Sequence, residues 1–156
     1  MVHRGVATLS LSLALCFLLL SHFDQQFFLV HFYESIVYLA IVLMLFYFED
    51  RWAYMLGILA PAAWLVLFTA IGGMSDVFRQ LALVTQFHHP DFPAHFLAGV
   101  TLLLAIAMIC VCGYRWRHEF SGVNKGWSTF LVCLAVVVAY YGAMVIWILK
   151  WPAAVA

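Results

Sequence analysis

The chain has 156 residues, 67% hydrophobic and 9% charged, with 7 Lys and Arg against 7 Asp and Glu for a net charge of zero. A soluble domain of this size has no way to hide so much apolar surface, and a mean hydropathy of +1.06 places the chain among polytopic membrane proteins. Zero net charge argues against a basic nucleic-acid surface, and no polar stretch is long enough to build a soluble domain, so residues 1–156 read as a single transmembrane domain surrounded by lipid.

A spanning helix needs about 20 apolar residues. Five runs meet this length, from about Val6 to Phe23, Phe27 to Phe48, Trp52 to Met74, Ala94 to Tyr114 and Trp127 to Trp151. The fold class expected is therefore an all-α integral membrane bundle. The first run is the shortest and, with Arg4 ahead of a leucine-rich core, has the outline of a signal peptide. No A-x-A site precedes the next run, and Leu15 before Cys16 is too large for a lipoprotein signal, so the run is expected to remain as a span.

The second run carries the one charged side chain deep in an apolar segment, Glu34, one turn after His31. A carboxyl in hydrocarbon costs a few kcal/mol or more, so it must be neutral, paired or turned toward protein. On a helical wheel His31, Glu34, Ser35 and Tyr38 fall within an arc of about 100°, which puts most polar groups of that half-span on one face. Such a face serves a buried hydrogen-bond network or a cofactor pocket.

Glu49, Asp50 and Arg51 form a tight hairpin into the third run, where Pro61 removes a backbone donor and crowds the carbonyl of Gly57. The segment from Ser75 to Pro93 is the longest connection. Its first part, 76–87, carries Val77, Phe78, Leu81, Val84 and Phe87 near helical spacing, with Asp76, Arg79 and Gln80 interleaved, and predicts a short helix lying on the membrane interface. The prolines of His88-His89-Pro90-Asp91-Phe92-Pro93 end it before the fourth run. Cys16, Cys110, Cys112 and Cys133 all sit in apolar runs and read as small packing residues. Cys110 and Cys112 point about 200° apart on a helix, so they cannot share a metal.

An N-terminus in the cytoplasm puts Arg4, Arg51, Arg115, Arg117 and Lys125 inside and only Arg79 and Lys150 outside. The positive-inside rule thus favours N-in, C-out in a bacterial-type inner membrane. Trp52, Trp116 and Trp127 then fall at the inner interface and Trp147 and Trp151 at the outer, leaving Trp64 stranded at mid-membrane. The same topology gathers His22, Asp24, His31, Glu34, His88, His89, Asp91 and His95 in the outer half, with Glu34 roughly 10 Å below the start of its helix.

Three uses fit these residues. Haem or chlorophyll ligation would employ His31 and His95, which enter their helices at comparable depth, with Ala98 and Gly99 leaving room for a flat ring and Tyr38 nearby. Metal binding would employ His88 and His89 in the proline-rich turn together with His22. A diiron centre is poorly supported, because a bundle site needs two Glu-x-x-His motifs and further glutamates. Proton or quinone chemistry would employ His31 sharing or relaying the proton of Glu34, with Tyr140 and Tyr141 as donors to a quinone oxygen. No internal repeat, nucleophile elbow, phosphate loop, H-E-x-x-H or C-x-x-C occurs.

Small size, 17% aromatic residues and little mass outside the membrane point to an accessory or anchor subunit of a larger energy-conversion complex, holding partner subunits and a haem, chlorophyll or quinone. An autonomous proton- or metal-coupled transporter or membrane enzyme built on His31 and Glu34 is the alternative. On a third reading, the pair only locks two helices together.

Overall fold

The computed structural model describes residues 3–47, 49–85, 93–120 and 126–155, and among these all regular structure is helical. Five helices are long and apolar enough to cross a membrane, as composition requires. They are α1 (His3–Phe23), α2 (Phe28–Phe46), α3 (Asp50–Ala70), α5 (Pro93–Glu119) and α6 (Gly126–Val155), with the shorter α4 (Gly73–Thr85) between α3 and α5. A single turn of 3-10 helix, Gln25–Phe27, joins α1 to α2.

The boundaries follow from local chemistry. α3 runs unbroken through the buried Pro61 and stops at Ala70, four residues short of the apolar run. Gly72 is the reason: it adopts φ +81°, a left-handed conformation that closes a helix and costs glycine nothing. The Gly72 amide bonds back to the Thr69 carbonyl at 3.1 Å, and the chain turns directly into α4. α4 therefore begins earlier than the periodicity of 76–87 predicts. It buries Val77 and leaves Phe78 exposed, while Phe87 lies outside the described residues.

α1, α2, α3 and α5 pack in that order around a ring, and α6 lies outside it, mainly against α3. α4 folds back onto α5. On the contact between α3 and α5, Gly57 has no side chain for a reason: a Cβ there would meet Cys112 Sγ at 2.6 Å and Met108 Cε at 3.0 Å. Cys112 is buried and Cys110 exposed, so the two cysteines do point apart.

Aromatic side chains fill the interior of the ring nearer the α1–α2 turn. Phe17 of α1 stacks on Tyr38 of α2 with centroids 5.5 Å apart and meets Trp64 of α3 edge-on, also at 5.5 Å. Trp64 in turn stacks on Phe68 at 5.0 Å. The tryptophan that fits neither interface is thus a core residue, 5% exposed, whose ring closes the middle of the bundle.

Candidate functional site

The α1–α2 turn builds the outer part of the site. Leu20 accepts from the backbone amide of Asp24 at 2.8 Å, which ends α1, and the Asp24 carboxylate caps the following turn by accepting from the Phe27 amide at 3.4 Å. That fixes Asp24 beside the first turn of α2, where its Oδ2 lies 3.7 Å from His31 Nε2. The distance is too long for a direct hydrogen bond but suits an ionic contact or a bridging water.

The other imidazole nitrogen turns inward. His31 Nδ1 lies 2.9 Å from Glu34 Oε2, a full hydrogen bond between residues one helical turn apart. Either Nδ1–H donates to a carboxylate or a carboxylic O–H donates to Nδ1, so one proton is shared whichever group holds it. Side-chain exposure falls from 34% at Asp24 to 20% at His31 and 6% at Glu34. The three groups therefore form a line from the end of the bundle to its interior, with one imidazole bridging two carboxyls.

Glu34 meets the rest of the core at the inner end of this line. The indole of Trp64 lies near its carboxyl from α3. The hydroxyls of Tyr38 and Tyr141 lie within its electrostatic field, with Tyr38 one turn deeper on α2 and Tyr141 facing it from α6. Ser35 shares the polar face but satisfies itself locally, donating to the Phe32 carbonyl at 2.7 Å. A second serine serves the same region from α1, where buried Ser10 donates to the Tyr38 carbonyl at 2.8 Å.

α2 and α6 are joined at this level by a reciprocal tyrosine clamp. The rings of Tyr33 and Tyr140 stack with centroids 4.2 Å apart, Tyr33 donates to the Tyr140 carbonyl at 3.3 Å, and the Tyr140 hydroxyl donates to the Tyr33 carbonyl. Nearer the α1–α2 turn, a groove of about 490 Å³ opens between the two helices, lined by residues 25–30 and by Trp147 and Ile148 of α6.

The predicted site residues thus fall into three groups. His31, Glu34 and Tyr38 come together. His95 sits half-buried in the first turn of α5, across the ring from α2, and the small residues Ala98 and Gly99 that follow it are buried. His22 is exposed and packs edge-on against Phe23, while His88 and His89 lie outside the described residues. Among the described residues no three His, Cys, Asp or Glu side chains converge on a point where a metal would bind. Asp24 and Glu34 in particular address opposite ring nitrogens of His31 and cannot ligate one ion with it.

Trp64, Tyr33 and the direct role of Asp24 escape sequence reasoning. Trp64 had one signal, its misfit to both interfaces. Tyr33 had none, since its partner lies 107 residues away. No protein-family model, no curated protein and no solved structure matches this chain.

Proposed function

We propose that this protein handles protons within the membrane, as a proton-coupled transporter or membrane enzyme in which Asp24 and His31 connect one membrane surface to Glu34. The observation that carries this reading is the carboxyl–imidazole–carboxyl line with its steady fall in exposure. Histidine suits the middle position because its two nitrogens can take a proton on one side and release one on the other. With neutral His31 protonated on Nδ1, Nε2 accepts a proton from the Asp24 side as Nδ1 gives its own to ionised Glu34. The ring changes tautomer and its net charge is unchanged.

The balance of Arg and Lys between loops supports an orientation in which the α1–α2 turn faces away from the cytoplasm of a bacterial-type cell. Asp24 is then the outer entry. Reconstitution in liposomes with a trapped pH dye and a potassium diffusion potential tests the reading. Proton entry should exceed that of empty liposomes and fall by about 100-fold in Glu34→Gln, the loss expected when a positioned proton carrier is removed. Entry equal in Glu34→Gln and wild type would contradict it.

A second reading, an anchor subunit of an energy-conversion complex, is favoured by α6. Leu131, Val132, Val136, Val138, Ile146 and Leu149 are all exposed along this peripheral helix, a surface fit for lipid or for a neighbouring membrane subunit. The groove beside it has an apolar floor and the glutamines Gln25 and Gln26, as a quinone or lipid chain would need. His31 and His95 remain the residues proposed for a haem or chlorophyll. Purification in mild detergent separates the readings: a co-purifying subunit or a pigment absorption band supports the anchor, and a colourless single polypeptide that conducts protons rejects it.

A further inference from the structure

We infer that the groove between the start of α2 and the later part of α6 binds an uncharged headgroup of the quinone type, carried on an apolar tail. The site deepens the anchor reading by naming its small ligand, and it rests on that reading for the ligand's use but not for its binding. The groove measures about 490 Å³ and is lined by residues 25–30, among them Gln25, Gln26, Phe27 and Phe28, and by Trp147 and Ile148 opposite. Organic ligands occupy sites of roughly 300–1,000 Å³, so a single ring and the first part of its tail fit here while the rest of the tail lies in the bilayer. No charged side chain is among the residues lining the groove. Asp24 adjoins them in sequence at one edge and Lys150 follows Ile148 on α6, with opposite signs. A phosphate or carboxylate headgroup would be drawn by a cation within the site, and the lining supplies none.

The polar part of the lining is two glutamines side by side, both exposed, on the 3-10 turn that Asp24 caps. A primary amide donates from its nitrogen and accepts on its oxygen. The same two side chains can therefore pair with the carbonyls of a quinone and with the hydroxyls of its quinol, whereas lysine or arginine would serve the carbonyls alone and a carboxylate the hydroxyls alone. The apolar part is aromatic. Phe27 is 42% exposed, Phe28 46% and Trp147 38%, so ring surface is open to a planar guest on both walls. A saturated acyl chain would need neither the amides nor the rings. Buried Val30 forms the floor, and one turn deeper on α2 the stacked Tyr33 and Tyr140, each bonded to the other's backbone, close the seam between the helices. The headgroup is thus held at the level of the α1–α2 turn, and its tail leaves sideways into lipid.

The full chain in phosphatidylcholine nanodiscs, titrated with a 1,4-benzoquinone carrying a decyl tail, tests this through quenching of tryptophan fluorescence and through labelling by an azido derivative of the same quinone. Wild type should show saturable quenching, and the label should map by mass spectrometry to residues 25–30 and 147–148. The double variant Gln25→Leu, Gln26→Leu should bind both the quinone and its quinol about 10-fold more weakly, the loss expected for two neutral hydrogen bonds. Decanol, a tail without the ring, should not displace the quinone. Both glutamines are exposed and outside the core; if the double variant still fails to fold, each single variant should weaken binding about 3-fold. Unsaturable quenching, label spread along the chain, equal affinity in wild type and variants, or displacement by decanol or by phosphatidylglycerol overturns the inference. Failure of the anchor reading looks different: quenching and label keep to the groove while the chain purifies without a companion subunit.

Discussion

The α3–α5 contact and the α2–α6 contact are built on opposite terms. At the first, Gly57 sits against Cys112 and Met108 so closely that one added methyl group would collide with both. At the second, helices that touch little by their backbones are held through tyrosines that reach across to carbonyls. Helix packing in a membrane has no help from water expulsion, so shape and hydrogen bonding must supply the specificity. The first contact uses shape and the second uses hydrogen bonds, and the buried carboxyl lies beside the second. Polar chemistry is placed where the helices are spaced and bridged, while the tight contact holds the frame around it.

Substitutions that exchange these terms should have graded effects. Gly57→Leu drives four carbon atoms into the α3–α5 contact and should destabilise the protein by about 3 kcal/mol, read as a lower melting temperature in detergent. Cys112→Ala should recover part of this, since Sγ is the nearest atom. Equal stability of Gly57→Leu and wild type would show that the contact is looser than it stands here.

His31→Ala comes next. It leaves Glu34 in the interior without its 2.9 Å partner and should cost about 2 kcal/mol, moderated by the partial exposure of His31. Glu34→Gln, which keeps the size of the side chain and removes its charge, should melt within about 1 kcal/mol of wild type. If both variants melt together, the pair is not the constraint on Glu34.

Tyr140→Phe removes one rung of the clamp and should cost about 1 kcal/mol, with Tyr33→Phe similar and the double variant less than the sum because the two share one interface. Ser10→Ala, which loses a single interhelical bond to the Tyr38 carbonyl, should fall near 0.6 kcal/mol, about the mean for such bonds in membranes. Chemical denaturation in mixed micelles ranks these two. A larger effect at Ser10 than at Tyr140 would make the α1–α2 bond, not the α2–α6 clamp, the stronger hydrogen-bonded tie to α2.

How far the sequence reveals this arrangement depends on the range of each interaction. The five spans are legible because hydropathy is local and strong, and their number and order match the helices. The end of α3 is not, because Ile71 through Met74 contribute little to tell span from turn and the decision lies in the backbone of Gly72. The pairing of His31 with Glu34 is readable from i,i+3 spacing alone. That Asp24 completes the line depends on the 3-10 turn, which a wheel drawn through one continuous helix cannot anticipate. Trp64 meets Phe17 in the core only because α3 packs into the ring with α1 and α2, and the tyrosine clamp depends on the placement of α6. Such contacts are set by tertiary packing, and no periodicity in the chain encodes them.

The central claim is that protons reach Glu34 through Asp24 and His31. Hydrogen–deuterium exchange of the Glu34 carboxyl, followed by infrared spectroscopy with the band assigned through Glu34→Gln, measures that passage directly. Exchange should be fast in wild type and slower on the order of 100-fold in His31→Phe, with Asp24→Asn intermediate. Identical exchange rates in all three would contradict the account.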